Sequence, residues 1–114
     1  MPLRDWSLRI EDMLDAVDAI GGFVKDMSFE NFSQDRRTVD AVVRNLEVIG
    51  EAARFLPEPV RQQYPQVPWT NIIGMRSVLI HEYFGVDVDI LWATVQNDLP
   101  PLRAQLRSIL DESS

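Results

Sequence analysis

Between Asp5 and Val24 the apolar residues fall at Trp6, Ile10, Met13, Leu14, Val17, Ile20 and Val24. Between Arg36 and Phe55 the inner positions are Val39, Val42, Val43, Leu46, Ile49, Gly50 and Ala53. Steps of three and four put each set on one side of a helix, and a helix with one apolar stripe must bury it against another element. No stretch alternates with period two over a useful length, so the partners are helices too. The chain is predicted to be all-α.

The rest of the sequence divides the bundle. Gly21-Gly22 weakens the end of the first helix, and Ser28 caps a short turn of helix, Ser28 to Asp35, that tucks Phe29 and Phe32 beneath the others. Gly50, Ala52 and Ala53 are small enough for a neighbouring helix to approach closely. Pro57, Pro59, Pro65 and Pro68 make a connector with one helical turn at Val60 to Tyr64. Thr70 or Asn71 then caps a helix burying Ile72, Ile73, Met75, Val78 and Leu79, with Trp69 folded on its first turns as a hydrophobic staple. Asp87 caps the next, whose apolar face is Val88, Leu91, Trp92 and Val95. Pro100-Pro101 ends or restarts it near Asp98, and Leu102, Leu106, Ile109 and Leu110 line a last helix before a polar tail, Asp111 to Ser114. With 114 residues, 46% of them hydrophobic, residues 1–114 are expected to form one domain, a mostly antiparallel bundle of four to five helices.

Composition narrows the function. No apolar run approaches the roughly 20 residues needed to cross a bilayer, and Met-Pro-Leu-Arg-Asp-Trp at the start is not a signal peptide; a cytoplasmic protein is expected. There is no cysteine and one histidine, which leaves no thiolate chemistry and no zinc site within one chain. Any reaction is expected to need neither metal nor cofactor. A net charge of −7 argues against coating nucleic acid through counterion release, though not against a local phosphate site. Of the 11 basic residues all but Lys25 are arginine, which suits fixed two-point contacts or simply reflects codon usage.

The chemistry is expected between Met75 and Val86, where the histidine stands between an arginine and a tyrosine. Packing has no need of Arg76, His81 or Tyr83. Arg76 offers a permanent planar charge for a phosphate, His81 a proton near neutral pH, and Tyr83 a hydroxyl. On an uninterrupted helix Tyr83 lies within about 20° of Arg76 and His81 about 140° away. Either the helix is distorted in its last turn before Gly85, swinging His81 round, or a second copy supplies the missing half. The plain alternative is that the histidine only caps or packs. Arg44, Asn45, Glu47 and Glu51 on the second long helix are a solvated face, or a polar network beside the site or across a dimer seam.

Arg76, four residues, His81, one residue, Tyr83 resembles the signature of the HepT-like toxins within the HEPN superfamily of ribonucleases. The likeness extends to Arg4-Asp5, Glu11 to Leu14, Ala41 to Ala52, Tyr64-Pro65, Val67-Pro68-Trp69 and Asn97 to Pro100. Ser77 departs from the pattern, since many members of the wider superfamily carry a larger polar residue there; it keeps a hydrogen-bonding group with shorter reach. The resemblance implies a dimeric HEPN-like bundle and a metal-independent endoribonuclease toxin with Arg76 and His81 as catalytic residues, supported by Ser77, Glu51 and Arg44. It also implies an RNA substrate, a homodimer or higher-order complex, and a cognate MntA-type nucleotidyltransferase antitoxin that attaches AMP to Tyr83. The competing reading is a non-catalytic helical partner that binds nucleotide or substrate for a minimal nucleotidyltransferase. His81 separates the two, because a pure binding module has no use for a titratable group there. A third is a structural dimer whose motif merely caps a helix.

Overall fold

The first stripe folds as its spacing requires. In the computed structural model, which describes residues 4–81 and 85–113 and the side chains of residues 6–75 and 87–112, helix α1 runs Arg4–Val24. It buries Ile10, Met13, Leu14, Ala16, Val17 and Ile20 against α3 (Arg36–Arg54) and α7 (Leu99–Ser113). Each large aliphatic side chain so buried contributes about 1.5–3 kcal/mol. The paired glycines do not end α1. Gly21 and Gly22 stay helical on the open side, and the chain turns at Asp26, whose φ of 64° is the left-handed conformation that aspartate tolerates better than most residues.

Helix α2 (Phe29–Gln34) is capped as expected, the Ser28 hydroxyl accepting from the Asn31 N–H at 3.1 Å. Of its two rings only Phe32 is buried; Phe29 stays 38% exposed because it sits on the outer side of the turn. Asp35 then caps α3 by accepting from the Thr38 N–H at 3.1 Å, and those bonds to Thr38 hold its carboxyl below the usual range. Helix α3 buries Val39, Val42, Leu46, Ile49, Ala52 and Ala53. Gly50 behaves as the sequence suggests. A Cβ built there would stand 3.2 Å from the Ile72 carbonyl oxygen, so a larger residue would have to push α5 (Trp69–Leu79) away from α3 by a few tenths of an ångström.

The connector's helical turn, α4, covers Glu58–Gln63, two residues earlier than expected, because Pro57 accepts the first bonds, from the Val60 and Arg61 N–H groups. Helix α5 also starts early. Its first turn closes on the Pro68 carbonyl, ahead of Thr70 and Asn71, and the Trp69 ring is buried with its indole N–H donating to the Tyr64 carbonyl at 3.0 Å. Trp69 is thus a hydrogen-bonded tie to the connector rather than a staple ahead of the helix.

The main departure follows. Helix α5 stops at Leu79, and Ile80–His81 (β1) pairs antiparallel with Gly85–Val86 (β2) in a two-residue ladder that the sequence pattern does not announce. Asp87 caps α6 (Val88–Ala93) by accepting from the Ile90 N–H at 3.1 Å. Of the two expected outcomes for Pro100-Pro101, the helix restarts, at Leu99, rather than ending. A π-turn at Thr94–Asp98 joins α6 to α7, with the Leu99 N–H bonded to the Thr94 carbonyl, so a local widening absorbs the donors that Pro100 and Pro101 lack. Leu102, Leu106 and Ile109 are buried along α7, Leu110 only partly, and Asp111 and Glu112 belong to the helix rather than to a tail. The long helices are thus α1, α3, α5 and the continuous α6–α7 pair, the all-α bundle that the periodicity predicts.

Candidate functional site

The close passage of α5 over Gly50 positions the candidate site. A groove of about 610 Å³ follows α3, lined among others by Arg9 and Asp12 of α1, Arg44, Glu47, Glu51 and Arg54 of α3, and Ile73 of α5. Of the four polar residues that the sequence singles out on α3, Arg44, Glu47 and Glu51 are therefore brought to one groove, Arg44 and Glu51 exposed and Glu47 half-buried. Asn45 is not part of it; its side-chain amide donates to the Ala41 carbonyl at 2.9 Å, a local helix bond. Glu51 stands 3.6 Å from Arg54 with both side chains well over half exposed, a pair worth little in water.

Ile73 connects this groove to the motif. Residues three and four apart share a helix face, so the backbone of Arg76 and Ser77 follows Ile73 by one turn along α5. On the other side of α5, Asn71, Ile72 and Met75 line a second cavity of about 470 Å³ against the π-turn and α7. The histidine is not on the helix at all. The backbone of His81 lies opposite Gly85 in the ladder, so the helical angle between Arg76 and His81 does not apply. The side chains of Arg76, Ser77 and His81, and Tyr83 altogether, lie outside the described residues.

The other tyrosine, Tyr64, is a packing residue. It is 5% exposed, and burial, with the Glu112 carboxylate, pushes its hydroxyl above the ordinary range. Arg103 is tied across the bundle to Asp18 at 2.6 Å, which raises its already high pKa. Sequence reasoning passes over Arg9 and Arg54, which line the groove, and Phe55, whose ring both guanidinium groups approach; the available signal was that Phe55 falls two residues past Ala53, off the buried stripe. Among the described residues no group of three or more His, Asp or Glu is placed to hold a metal ion, and no helix is long and apolar enough to cross a membrane.

Compared with known proteins, residues 13–109 match the family described as "Ribonuclease HepT-like". A protein of Thermococcus cleftensis named "Probable ribonuclease HepT" is 41% identical over 100 residues, 88% of this chain and 91% of its own. A "Putative RNase" of Methanocaldococcus jannaschii is 39% identical over 112 residues, 98% of this chain and 97% of its own. Another "Putative RNase", from Caldanaerobacter subterraneus, is 47% identical over 89 residues, 78% of this chain and 80% of its own. No solved structure matches.

Proposed function

The chain belongs to the HepT-like ribonuclease family, and on that premise we propose that residues 1–114 form one domain that cleaves RNA without a metal, as the toxin of a toxin–antitoxin pair. The observation that carries the reading is the extent of the likeness: relatives named as RNases align with nearly the whole chain. Arg76 and His81 are assigned the chemistry. His81 takes a proton from the ribose 2′-hydroxyl or gives one to the departing 5′-oxygen, a task for a group titrating near neutral pH. Arg76 stabilises the charge that gathers on the phosphorus oxygens in the transition state. The RNA supplies its own nucleophile, and one histidine without cysteine offers little to hold a catalytic metal. Cleavage of RNA by the purified protein is therefore expected to persist in excess chelator. Loss of cleavage in chelator, restored by a divalent ion, would refute the mechanism, and binding without any cleavage would favour the non-catalytic partner of a nucleotidyltransferase.

We assign the site to a homodimer, because a two-fold axis would bring two Arg76–His81 sets to one phosphate. Light scattering at micromolar concentration should give twice the chain mass. A monomer with full activity contradicts the shared site.

Regulation is assigned to Tyr83, with AMP added by an MntA-type nucleotidyltransferase. Tyr64, the other tyrosine, is buried and out of a transferase's reach. AMP on Tyr83 would place a bulky anion beside the site and repel the RNA phosphate. Incubation with the cognate transferase and ATP should put AMP on the peptide containing Tyr83 and silence cleavage, whereas Tyr83→Phe should take up none. An adduct on another residue ends this part of the reading.

A further inference from the structure

Phe55 is one of several large apolar side chains that the bundle leaves exposed, with Leu8, Phe23, Phe29 and Ile90. It follows the last residue of α3 and is 54% exposed, so it contributes little to the core. Yet its ring is not left to water alone. The Arg9 guanidinium, from α1, lies 5.4 Å from the ring centroid and that of Arg54 lies 5.6 Å from it. Two arginines from different helices are thereby held against one aromatic ring. The same two arginines line the groove that Arg44 also lines and that reaches Ile73, one helical turn before Arg76.

We propose that Arg9, Arg54 and Phe55 form a subsite for an unpaired nucleotide of the RNA, the base stacking on the ring and guanidinium planes and the neighbouring phosphate taken by the arginines. The inference rests on the ribonuclease reading and adds to it the place where RNA outside the scissile bond is held. Three features favour this occupant. Planar apolar and guanidinium groups side by side match a base and its phosphate, the two chemistries that every nucleotide carries. In a chain of net charge −7 the groove carries three arginines among the carboxylates of Asp12, Glu47 and Glu51, and the exposed Arg54–Glu51 pair is weak enough in water for a phosphate to compete for Arg54. An apolar protein partner would need a continuous apolar surface, and Asp12, Glu47 and Glu51 interrupt it here. Those carboxylates also disfavour the dense phosphates of a duplex, whereas a single strand can pass with one or two phosphates on the arginines and its base faces available for stacking.

The test uses the full chain and a fluorescein-labelled, 2′-O-methylated single-stranded RNA, which cannot be cleaved, with anisotropy as the readout. Phe55→Ala should weaken binding roughly tenfold or more and Phe55→Trp should keep it, as expected for base–aromatic stacking. Arg9→Gln and Arg54→Gln should each flatten the dependence of log Kd on log salt by about 0.7, one phosphate contact on a single strand. A duplex of the same sequence should not respond to Phe55→Ala. An exposed ring can be removed without unfolding, and circular dichroism checks this; should Phe55→Ala fail to fold, the arginine variants and Phe55→Trp still decide. If wild-type protein cleaves RNA but Phe55→Ala binds it unchanged, the subsite is wrong and the ribonuclease reading stands. If wild-type protein neither binds nor cleaves RNA, both fall. If Phe55→Ala weakens self-association in sedimentation and leaves RNA affinity alone, the ring belongs to a seam between copies and the subsite is overturned.

Discussion

His81→Ala and Arg76→Ala are each expected to lower RNA cleavage by about a hundredfold or more while leaving helix content and melting temperature nearly unchanged. General acid–base groups and charge-stabilising donors are each worth about 10²–10³ or more in rate. The structural cost of removing them should be small for different local reasons. The backbone of His81 pairs opposite Gly85, a pairing that an alanine preserves, and Arg76 is in the helical stretch before Leu79, where alanine is the best helix former. Arg76→Lys should fall between wild type and alanine, because lysine keeps the charge and loses the two-pronged grip. Rates measured under single-turnover conditions, alongside thermal melts, separate the roles. If either alanine variant unfolds at the temperature of the assay, that residue holds the structure and the catalytic assignment fails for it.

Phe32→Ala should be among the most damaging single changes to stability, about 3–5 kcal/mol. Helix α2 has six residues and cannot persist alone, so its place depends on what it buries. Phe32 is fully buried, its ring 5.0 Å from that of Trp92 on α6, and it is one of the links between the first half of the chain and the segment after the ladder. Typical domains have only about 5–15 kcal/mol in total, so much of the margin would go. Phe29→Ala is the control. Phe29 meets the same Trp92 ring edge-on at 6.2 Å but is 38% exposed, and its loss should cost about 1 kcal/mol or less. Chemical denaturation of the pair checks this; equal losses would mean that burial does not set the worth of these rings.

The same comparison marks how far the sequence could be read. The stripes of α1 and α3 are repeated signals in which each position reinforces the next, and Ile10, Met13, Ile20, Val42 and Ile49 are all fully buried as the spacing requires. Ser28 and Asp87 were legible as caps because an N-cap bond spans only three residues. Trp69 was not, since its indole bonds the Tyr64 carbonyl across a proline-rich connector whose path spacing does not specify. Phe29 and Phe32 look alike in a six-residue helix and both meet Trp92, and only the way the helix packs, with Phe32 inward and Phe29 outward, distinguishes them.

The sequence by itself determined the helical class, the positions of the long helices, the close approach allowed by the small residues Gly50, Ala52 and Ala53, and the residues Arg76, His81 and Tyr83 as candidates. Local spacing and side-chain chemistry are enough for these. Only the tertiary structure decided that α5 stops at Leu79, because the ladder between Ile80–His81 and Gly85–Val86 needs two strands to meet and neither alone outweighs the helical pattern before it. It alone placed a π-turn at Thr94–Asp98 ahead of Pro100-Pro101, which sit in the first turn of α7, where the N–H groups they lack would otherwise need partners. It also gathered Arg9, Arg54 and Phe55, which come from the two helices whose stripes were easiest to read. Periodicity says which side of a helix is buried, and the rotation of one helix against another decides which outward residues meet.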